Sequence, residues 1–317
     1  MATVGLRNTL EPDPADTGVG KHRVTSPMAR RSFNQEAKTN VGTPRKVLSI
    51  AGSDSGGGAG LQADLKTCSA LGCYGMTAVT ALTAQNTLGV TDIHAPPASF
   101  LRAQLDAVMG DLGADAIKIG MLHSEEIVAV VADRLRAHPL VPVVLDPVMV
   151  ATSGDTLITP NTQEAITQLL FPLATLITPN LDELSLLVGR TVDRPHQFEE
   201  AARQLMAMGA RSVLVKGGHL LGSTLIDLLV EPDQVTEIAS ERVATRNLHG
   251  TGCTLSSAIA CFLAQGYSLR QAVRGGHDYV LRAIQAGKDM TLGQGHGPVN
   301  HSFSPLPMHI TGAHHGR

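Results

Sequence analysis

Short apolar runs recur along the chain at residues 47–51, 75–83, 115–121, 141–149, 174–178, 212–216 and 224–230. Each has the length of a strand rather than of a helix. Between them, residues 61–71, 98–109, 124–137, 161–171, 181–188 and 197–208 carry apolar positions at helical spacing, and residues 253–265 form a further apolar helix. Strands alternating with helices predict an α/β fold, with a central, mainly parallel sheet, helices on both faces and right-handed crossovers.

In such sheets ligands bind beyond the carboxyl ends of the strands. Polar residues gather there. Gly52 follows the run at 47–51, Gln85 and Asn86 follow 75–83, Gly120 and Met121 close 115–121, Asp146 sits late in 141–149, Asn180 follows 174–178, and Lys216-Gly217-Gly218 closes 212–216. Any one of these could be a cap or turn residue; their coincidence at one rim predicts a site.

Two glycine loops sharpen the picture. In His249-Gly250-Thr251-Gly252-Cys253-Thr254, Gly250 and Gly252 precede an apolar helix, so free backbone N–H groups and the positive end of the helix dipole face a common point. That is an anion cradle with phosphate as its expected guest, although a short Gly-x-Gly taken alone is more often an ordinary turn. The second loop, Gly52 to Gly60, joins a strand to the helix at 61–71. Gly58-x-Gly60-x-x-Ala63 satisfies the dinucleotide fingerprint formally, but the strand at 75–83 leads into Ala84-Gln85-Asn86 instead of an acidic residue, which argues against a dinucleotide site. Asp64, three residues after Leu61, falls on or beside the inward face of that helix, where a charge needs a partner; the plainer alternative is a carboxylate favouring the helix start.

Composition narrows the class. The 317 residues are 43% hydrophobic, enough for one large α/β domain or two small ones, and a net charge of −3 without a long basic run argues against nucleic-acid binding. Aromatics make up 3% and Trp is absent, so base-stacking platforms are not expected. No apolar stretch is long enough to span a membrane and no signal peptide opens the chain. The four cysteines, at 68, 73, 253 and 261, lack zinc-type spacing and suit a reducing cytoplasm. Residues 1–44 are proline-containing, polar and without period, and are expected to be a disordered extension; residues 301–317 read as a flexible tail.

The rim chemistry suits phosphoryl transfer. Lys216, between an apolar strand and a Gly-Gly turn, can reach a polyphosphate, while Asp146 and Glu183 can hold Mg²⁺, which takes few protein ligands. Asn180 and Glu183 also fit an N-cap and its capping-box partner. No Walker-type P-loop and no protein-kinase motif set occurs.

The run Ile50 to Thr67, then Thr83-Ala84-Gln85-Asn86-Thr87, Lys118-Ile119-Gly120-Met121-Leu122, Asp146-Pro147-Val148-Met149, Thr178-Pro179-Asn180-Leu181-Asp182-Glu183, Lys216-Gly217-Gly218-His219 and His249 to Thr254 closely resembles the hydroxymethylpyrimidine (phosphate) kinases of thiamine biosynthesis, in the ribokinase superfamily. The resemblance spans residues 45 to about 300. It implies a ribokinase-like three-layer sandwich, ATP and Mg²⁺ as cosubstrate and cofactor, and two successive phosphorylations of the aminopyrimidine to its diphosphate. It places Gly52, Ala59, Asp64, Gln85, Met121 and Val148 around the pyrimidine, with Asp64 taking the exocyclic amine or hydroxymethyl group. Lys216, Thr251 and Asn180 would serve the nucleotide, Asp146 and Glu183 the magnesium, and Gly250, Gly252, Cys253 and Lys216 the chemistry. Where many superfamily members carry an aspartate base, this chain has Cys253. A thiol at a helix N-terminus is expected to have a lowered pKa and to act as base, or else to contribute only its backbone N–H. The implied protein is a cytoplasmic homodimer acting on a small pyrimidine. A pyridoxine or pyridoxal kinase, or a catalytically silent pyrimidine sensor, are the alternatives.

Overall fold

A computed structural model describes residues 42–149, 158–218 and 222–311. Its strands are β1 (Thr43–Pro44), β2 (Lys46–Asp54), β3 (Tyr74–Asn86), β4 (Gly89–His94), β5 (Ala116–Ile119), β6 (Val143–Leu145), β7 (Leu176–Ile177), β8 (Val213–Val215), β9 (Thr224–Val230), β10 (Val235–Glu241) and β11 (Ile310–Thr311). The helices are α1 (Gly60–Ala70), α2 (Ala98–Ala107), α3 (Glu125–Ala137), α4 (Pro160–Leu169), α5 (Leu181–Val188), α6 (Phe198–Ala207), α7 (Thr251–Ala264) and α8 (Leu269–Gly287). Each apolar run noted above contributes a strand. Beyond them the structure adds the edge strands β4 and β10 and the helix α8, whose half-exposed faces leave no continuous apolar run to detect.

Among the described residues nine strands form one sheet in the order β10-β9-β8-β7-β6-β5-β2-β3-β4. The pairs from β8 through to β3 are parallel, and β4 and β9 run against their neighbours. Successive side chains of a strand point to opposite faces. Leu48, Ile50, Ile117, Ile119, Val143, Leu145, Ile177, Val213 and Val215 therefore pack with α2 to α6 in one core. Val47, Ala116, Val144, Leu176 and Leu214 pack with α1, α7 and α8 in the other. Two apolar faces on one sheet produce three layers.

The chain leaves β2 toward β3 on one side and later returns to place β5 on the other, so β2 and β5 flank the point where strand order reverses. The loop after β2 runs to α1, in the core shared with α7, and the loop after β5 runs to α3 on the opposite face. Loops that diverge in this way open a crevice at the strands' carboxyl ends.

Residues 1–41 lie outside the described residues, but Thr43 and Pro44, assigned above to a disordered extension, pair with Thr311 and Ile310. Residues 301–311 are not a free tail. Tyr279 donates its hydroxyl to the His301 carbonyl at 2.7 Å, the Leu306 N–H reaches the Ala70 carbonyl at 2.8 Å, and the His309 N–H reaches that of Gly72 at 2.7 Å. Backbone pairing with the turn after α1 holds a segment whose composition alone reads as solvated. No helix among the described residues is long and apolar enough to cross a membrane.

Candidate active site

Gly250 caps α7 at φ 80°, a conformation that a residue with a Cβ rarely adopts. Helix α7 therefore starts at Thr251, two residues earlier than the apolar run suggests, and Cys253 is its third residue. Gly252 faces the charged group opposite. A Cβ at that position would lie 3.3 Å from Lys216 Nζ and 3.5 Å from Asp146 Oδ2, so the missing side chain leaves a small hollow between helix start and ion pair.

Lys216 follows β8, and its N–H donates to the Pro179 carbonyl, which brings the ends of β7 and β8 together. Its ammonium donates to Asp146 Oδ1 at 2.7 Å and lies 3.9 Å from Glu183 Oε2. Asp146 Oδ1 also accepts the Thr178 hydroxyl at 3.0 Å. Burial alone would raise the pKa of Asp146, but the Lys216 and Lys118 ammoniums outweigh it and the carboxyl stays below its ordinary value. Lys216 is raised, since Asp146 and Glu183 overcome its own burial. For Glu183 burial wins over Lys216 and moves the carboxyl up to about 7. Asn180 and Glu183 form a reciprocal capping box, with N–H to side-chain distances of 2.8 and 2.9 Å, so Asn180 has the cap role beside any role toward a nucleotide.

Of the residues expected beside a pyrimidine, Met121 and Gln85 reach the loop at 52–60, to which Gly52 and Ala59 belong. A Cβ on Gly52 would lie 2.9 Å from Met121 Cε, so these two positions touch across the β2/β5 crevice. Gln85 lies at an irregularity in β3, and its backbone N–H and carbonyl are both bonded to the Ser55 hydroxyl at 2.8 Å. Its Oε1 accepts the Thr83 hydroxyl at 3.1 Å, and its amide nitrogen has no partner among the described residues. Ala59 caps α1, and Val148 follows directly after the Asp146 turn. Cys253 approaches the Gly60 N–H, which joins the two glycine loops.

Two expectations are corrected. Asp64 does not face a ligand. It is fully buried, with Oδ1 accepting from Lys118 at 3.0 Å and Ser257 at 2.7 Å, and Oδ2 accepting from Lys118 at 2.9 Å and Ser49 at 2.5 Å. No lone-pair direction is left for an amine. Ser49 and Lys118 point to the α1 and α7 side because they alternate with Leu48, Ile50, Ile117 and Ile119. The second correction concerns Cys253, whose thiol is not acidified by the helix start. Burial pushes it up to about 11, against the pull of the Lys118 charge.

Lys118, Ser49, Ser257 and Thr178 were not singled out by residue type. A lone lysine inside Ala116-Ile117-Lys118-Ile119 was the available signal, because a buried ammonium needs a carboxylate. Among the described residues no group of three or more His, Cys, Asp and Glu side chains forms a metal-binding cluster. Asp146, beside the hollow at Gly252, and Glu183, 3.9 Å from the Lys216 ammonium, nonetheless supply hard oxygen donors, as a magnesium ion that keeps most of its waters requires.

The sequence profile of the phosphomethylpyrimidine kinases matches residues 54–300. The hydroxymethylpyrimidine/phosphomethylpyrimidine kinase of Rhizobium meliloti is 51% identical over 256 residues, which cover 80% of this chain and 96% of that protein. The enzyme of the same name from Streptomyces coelicolor is 47% identical over 268 residues, 84% and 98% of the two chains. A thiamine biosynthesis bifunctional protein of Geobacter sulfurreducens is 48% identical, and the match spans only 54% of its length. Among solved structures, the phosphomethylpyrimidine kinase of Clostridium difficile aligns with a TM-score of 0.68 at 39% identity, covering 76% of this chain and 99% of that one. The pyridoxal kinase of Bacillus subtilis, solved as an ADP complex, aligns with a TM-score of 0.77 at 36% identity, covering 82% and 98%. The three layers are thus the ribokinase-like sandwich expected from the motifs, and the chain belongs to the phosphomethylpyrimidine kinase family.

Proposed function

We propose that this protein transfers the γ-phosphoryl group of ATP to the hydroxymethyl group of 4-amino-5-hydroxymethyl-2-methylpyrimidine, and then to the resulting monophosphate. The observation that carries the reading is the meeting of Lys216, Asp146 and the Gly250–Cys253 turn at one hollow beside the β2/β5 crevice. Phosphoryl transfer is mainly a matter of positioning and charge. Here Lys216 and the free N–H groups of the α7 start, including that of Cys253, converge where negative charge develops. Gly52, Ala59, Gln85, Met121 and Val148 surround the acceptor ring; the unpaired amide of Gln85 can donate to a ring nitrogen.

Asp146 and Glu183 would hold magnesium, which, when bound, supplies charge neutralisation at the phosphate oxygens. Lys216 keeps Asp146 ionised and orients it, and Thr178 fixes the other face of the same oxygen. Thr251, the first residue of α7, and Asn180, the cap of α5, are assigned to the nucleotide. Cys253 keeps its proton at neutral pH, so its contribution is the N–H at the third position of α7. A loose transition state makes little demand on a base, because the attacking hydroxyl keeps its proton until late. The assembly is proposed to be a homodimer, which sizing in solution tests.

The deciding assay gives purified protein ATP and Mg²⁺ with hydroxymethylpyrimidine, its monophosphate or pyridoxal in separate reactions. Turnover of both pyrimidines above pyridoxal supports the reading. Turnover of pyridoxal alone replaces it with the vitamin kinase alternative, and turnover of none with a silent sensor.

A further inference from the structure

Asp54 and His249 have no part in the chemistry assigned so far, yet they join its two halves. Asp54 ends β2 and is buried. Its Oδ1 accepts the Gly56 N–H at 2.8 Å; its Oδ2 accepts the N–H groups of Gly58 at 3.0 Å and Ala59 at 2.8 Å, and the Nε2–H of His249 at 2.9 Å. His249 immediately precedes the cap of α7, and its own N–H donates to the Gly297 carbonyl at 3.0 Å. One carboxylate therefore anchors the acceptor loop and the root of the phosphate cradle, 195 residues apart in sequence. The loops also touch directly, since a Cβ on Gly250 would run into the Gly58 carbonyl and one on Gly58 into the His249 ring.

Glycine-rich loops lose the most backbone freedom when a ligand fixes them. If two such loops share one anchor, ordering the first lowers the cost of ordering the second, and the coupling acts equally in both directions. We propose that Asp54 and His249 are positioning residues that couple acceptor binding in the 52–60 loop to formation of the phosphate cradle at 250–253. The proposal rests on the reading of these loops as the acceptor and phosphate sites. It also explains a carboxylate whose every bond is internal in a region otherwise open to ligands.

The test uses the full chain and begins with two His249 variants. His249→Gln keeps an N–H donor within reach of Asp54, and His249→Leu fills similar space without one. In the ligand-free proteins, backbone hydrogen exchange should rise at least tenfold in His249→Leu at Gly56, Gly58 and Ala59 as well as at residues 250–253, and stay near the parent in His249→Gln. Faster exchange confined to residues 249–253 would overturn the proposal. With ligands, the parent should bind a non-hydrolysable ATP analogue at least fivefold more tightly when hydroxymethylpyrimidine is present, and the reverse by the same factor. His249→Leu and Asp54→Asn should each bring that factor to about one, so that KM for either substrate at saturating concentration of the other rises by about the same factor while binding of each ligand alone moves less than threefold, and the double variant should be no worse than either. A parent without coupling, or coupling that survives His249→Leu, refutes the latch. If the parent binds neither ligand, the functional reading fails and the exchange measurement alone decides. Should His249→Leu not fold, His249→Asn, whose amide is too short to reach Asp54, carries the same expectations.

Discussion

The Lys118–Asp64 and Lys216–Asp146 pairs have the same chemistry and lie near the same sheet rim, with nitrogen to oxygen distances of 2.9 and 2.7 Å. They differ in what remains. Ser49, Ser257 and Lys118 occupy both oxygens of Asp64, and neither partner reaches solvent. On Asp146, Thr178 and Lys216 share Oδ1, while Oδ2 faces the hollow at Gly252. Exhausted hydrogen-bonding capacity marks a group that holds elements together; here these are α1, α7, β2 and β5. Remaining capacity that faces a cradle marks a group able to meet a ligand.

The largest effect expected from breaking this contrast is on folding. Lys118→Met leaves the Asp64 charge buried and unpaired, which should cost about 3–5 kcal/mol of stability in denaturant titration. Adding Asp64→Leu should return part of the loss, and the folded fraction of either variant should keep kcat within a few-fold. A stable Lys118→Met protein that has lost kcat would erase the distinction between the pairs.

Next in size, Lys216→Met should lower kcat by about 100-fold or more, as expected on removing a charge that stabilises the transition state. It should cost less stability than Lys118→Met, because the released Asp146 retains Thr178 and faces the hollow instead of a closed core. Steady-state kinetics and unfolding curves of the two variants test the pairs side by side. Equal stability losses with unchanged kcat would place Lys216 with the structural pair.

The sequence made the second pair easier to read than the first. Lys216 stands before Gly217-Gly218 at the end of an apolar run, and Asp146 sits late in another, directly after β6, so strand topology alone brings them to one rim. Asp64 was legible as an inward-facing carboxylate, but its partner was not, because Lys118 is 54 residues away and the register of β5 against β2 decides which face it takes. Helix α1 is oriented by the buried Leu61, Ala63 and Cys68, while Leu65, next to Asp64, is exposed. The Asp54–His249 contact was harder still to infer. It depends on two loops converging, which neither periodicity nor a motif encodes.

A smaller effect sharpens the ligand side. Gln85→Leu should weaken pyrimidine binding by about 1–3 kcal/mol, roughly 5- to 150-fold, because ring atoms that lose a hydrogen-bond partner stay buried and unpaired. ATP affinity measured without pyrimidine should hardly move. Since Gln85 anchors Ser55 through its backbone, the substitution leaves the loop contacts in place. Equal losses for both ligands would make Gln85 a structural residue like Asp64.

The smallest effect concerns Cys253, which lies between the two pairs and is influenced by Lys118, Asp64 and Asp146. Burial raises its thiol to about 11, so at pH 7.5 only about one molecule in several thousand carries the thiolate. The thiol is protonated through the neutral range, and the thiolate grows about tenfold per pH unit until pH approaches 11. Alkylation of Cys253 by iodoacetamide should therefore be slow at pH 7 and rise without a plateau to pH 10. Cys68, Cys73 and Cys261 are buried and should react only on unfolding. Alanine keeps the N–H at the third position of α7, so Cys253→Ala should lower kcat less than tenfold at every pH. Cys253→Asp should be more harmful, because a carboxylate there repels the transferred phosphoryl group. A fall of 100-fold or more in Cys253→Ala, with partial recovery in Cys253→Asp, would instead show that ligand binding lowers the thiol pKa and makes it the base. The buried Lys118 ammonium would then act on catalysis, and the two pairs would no longer divide into structural and functional.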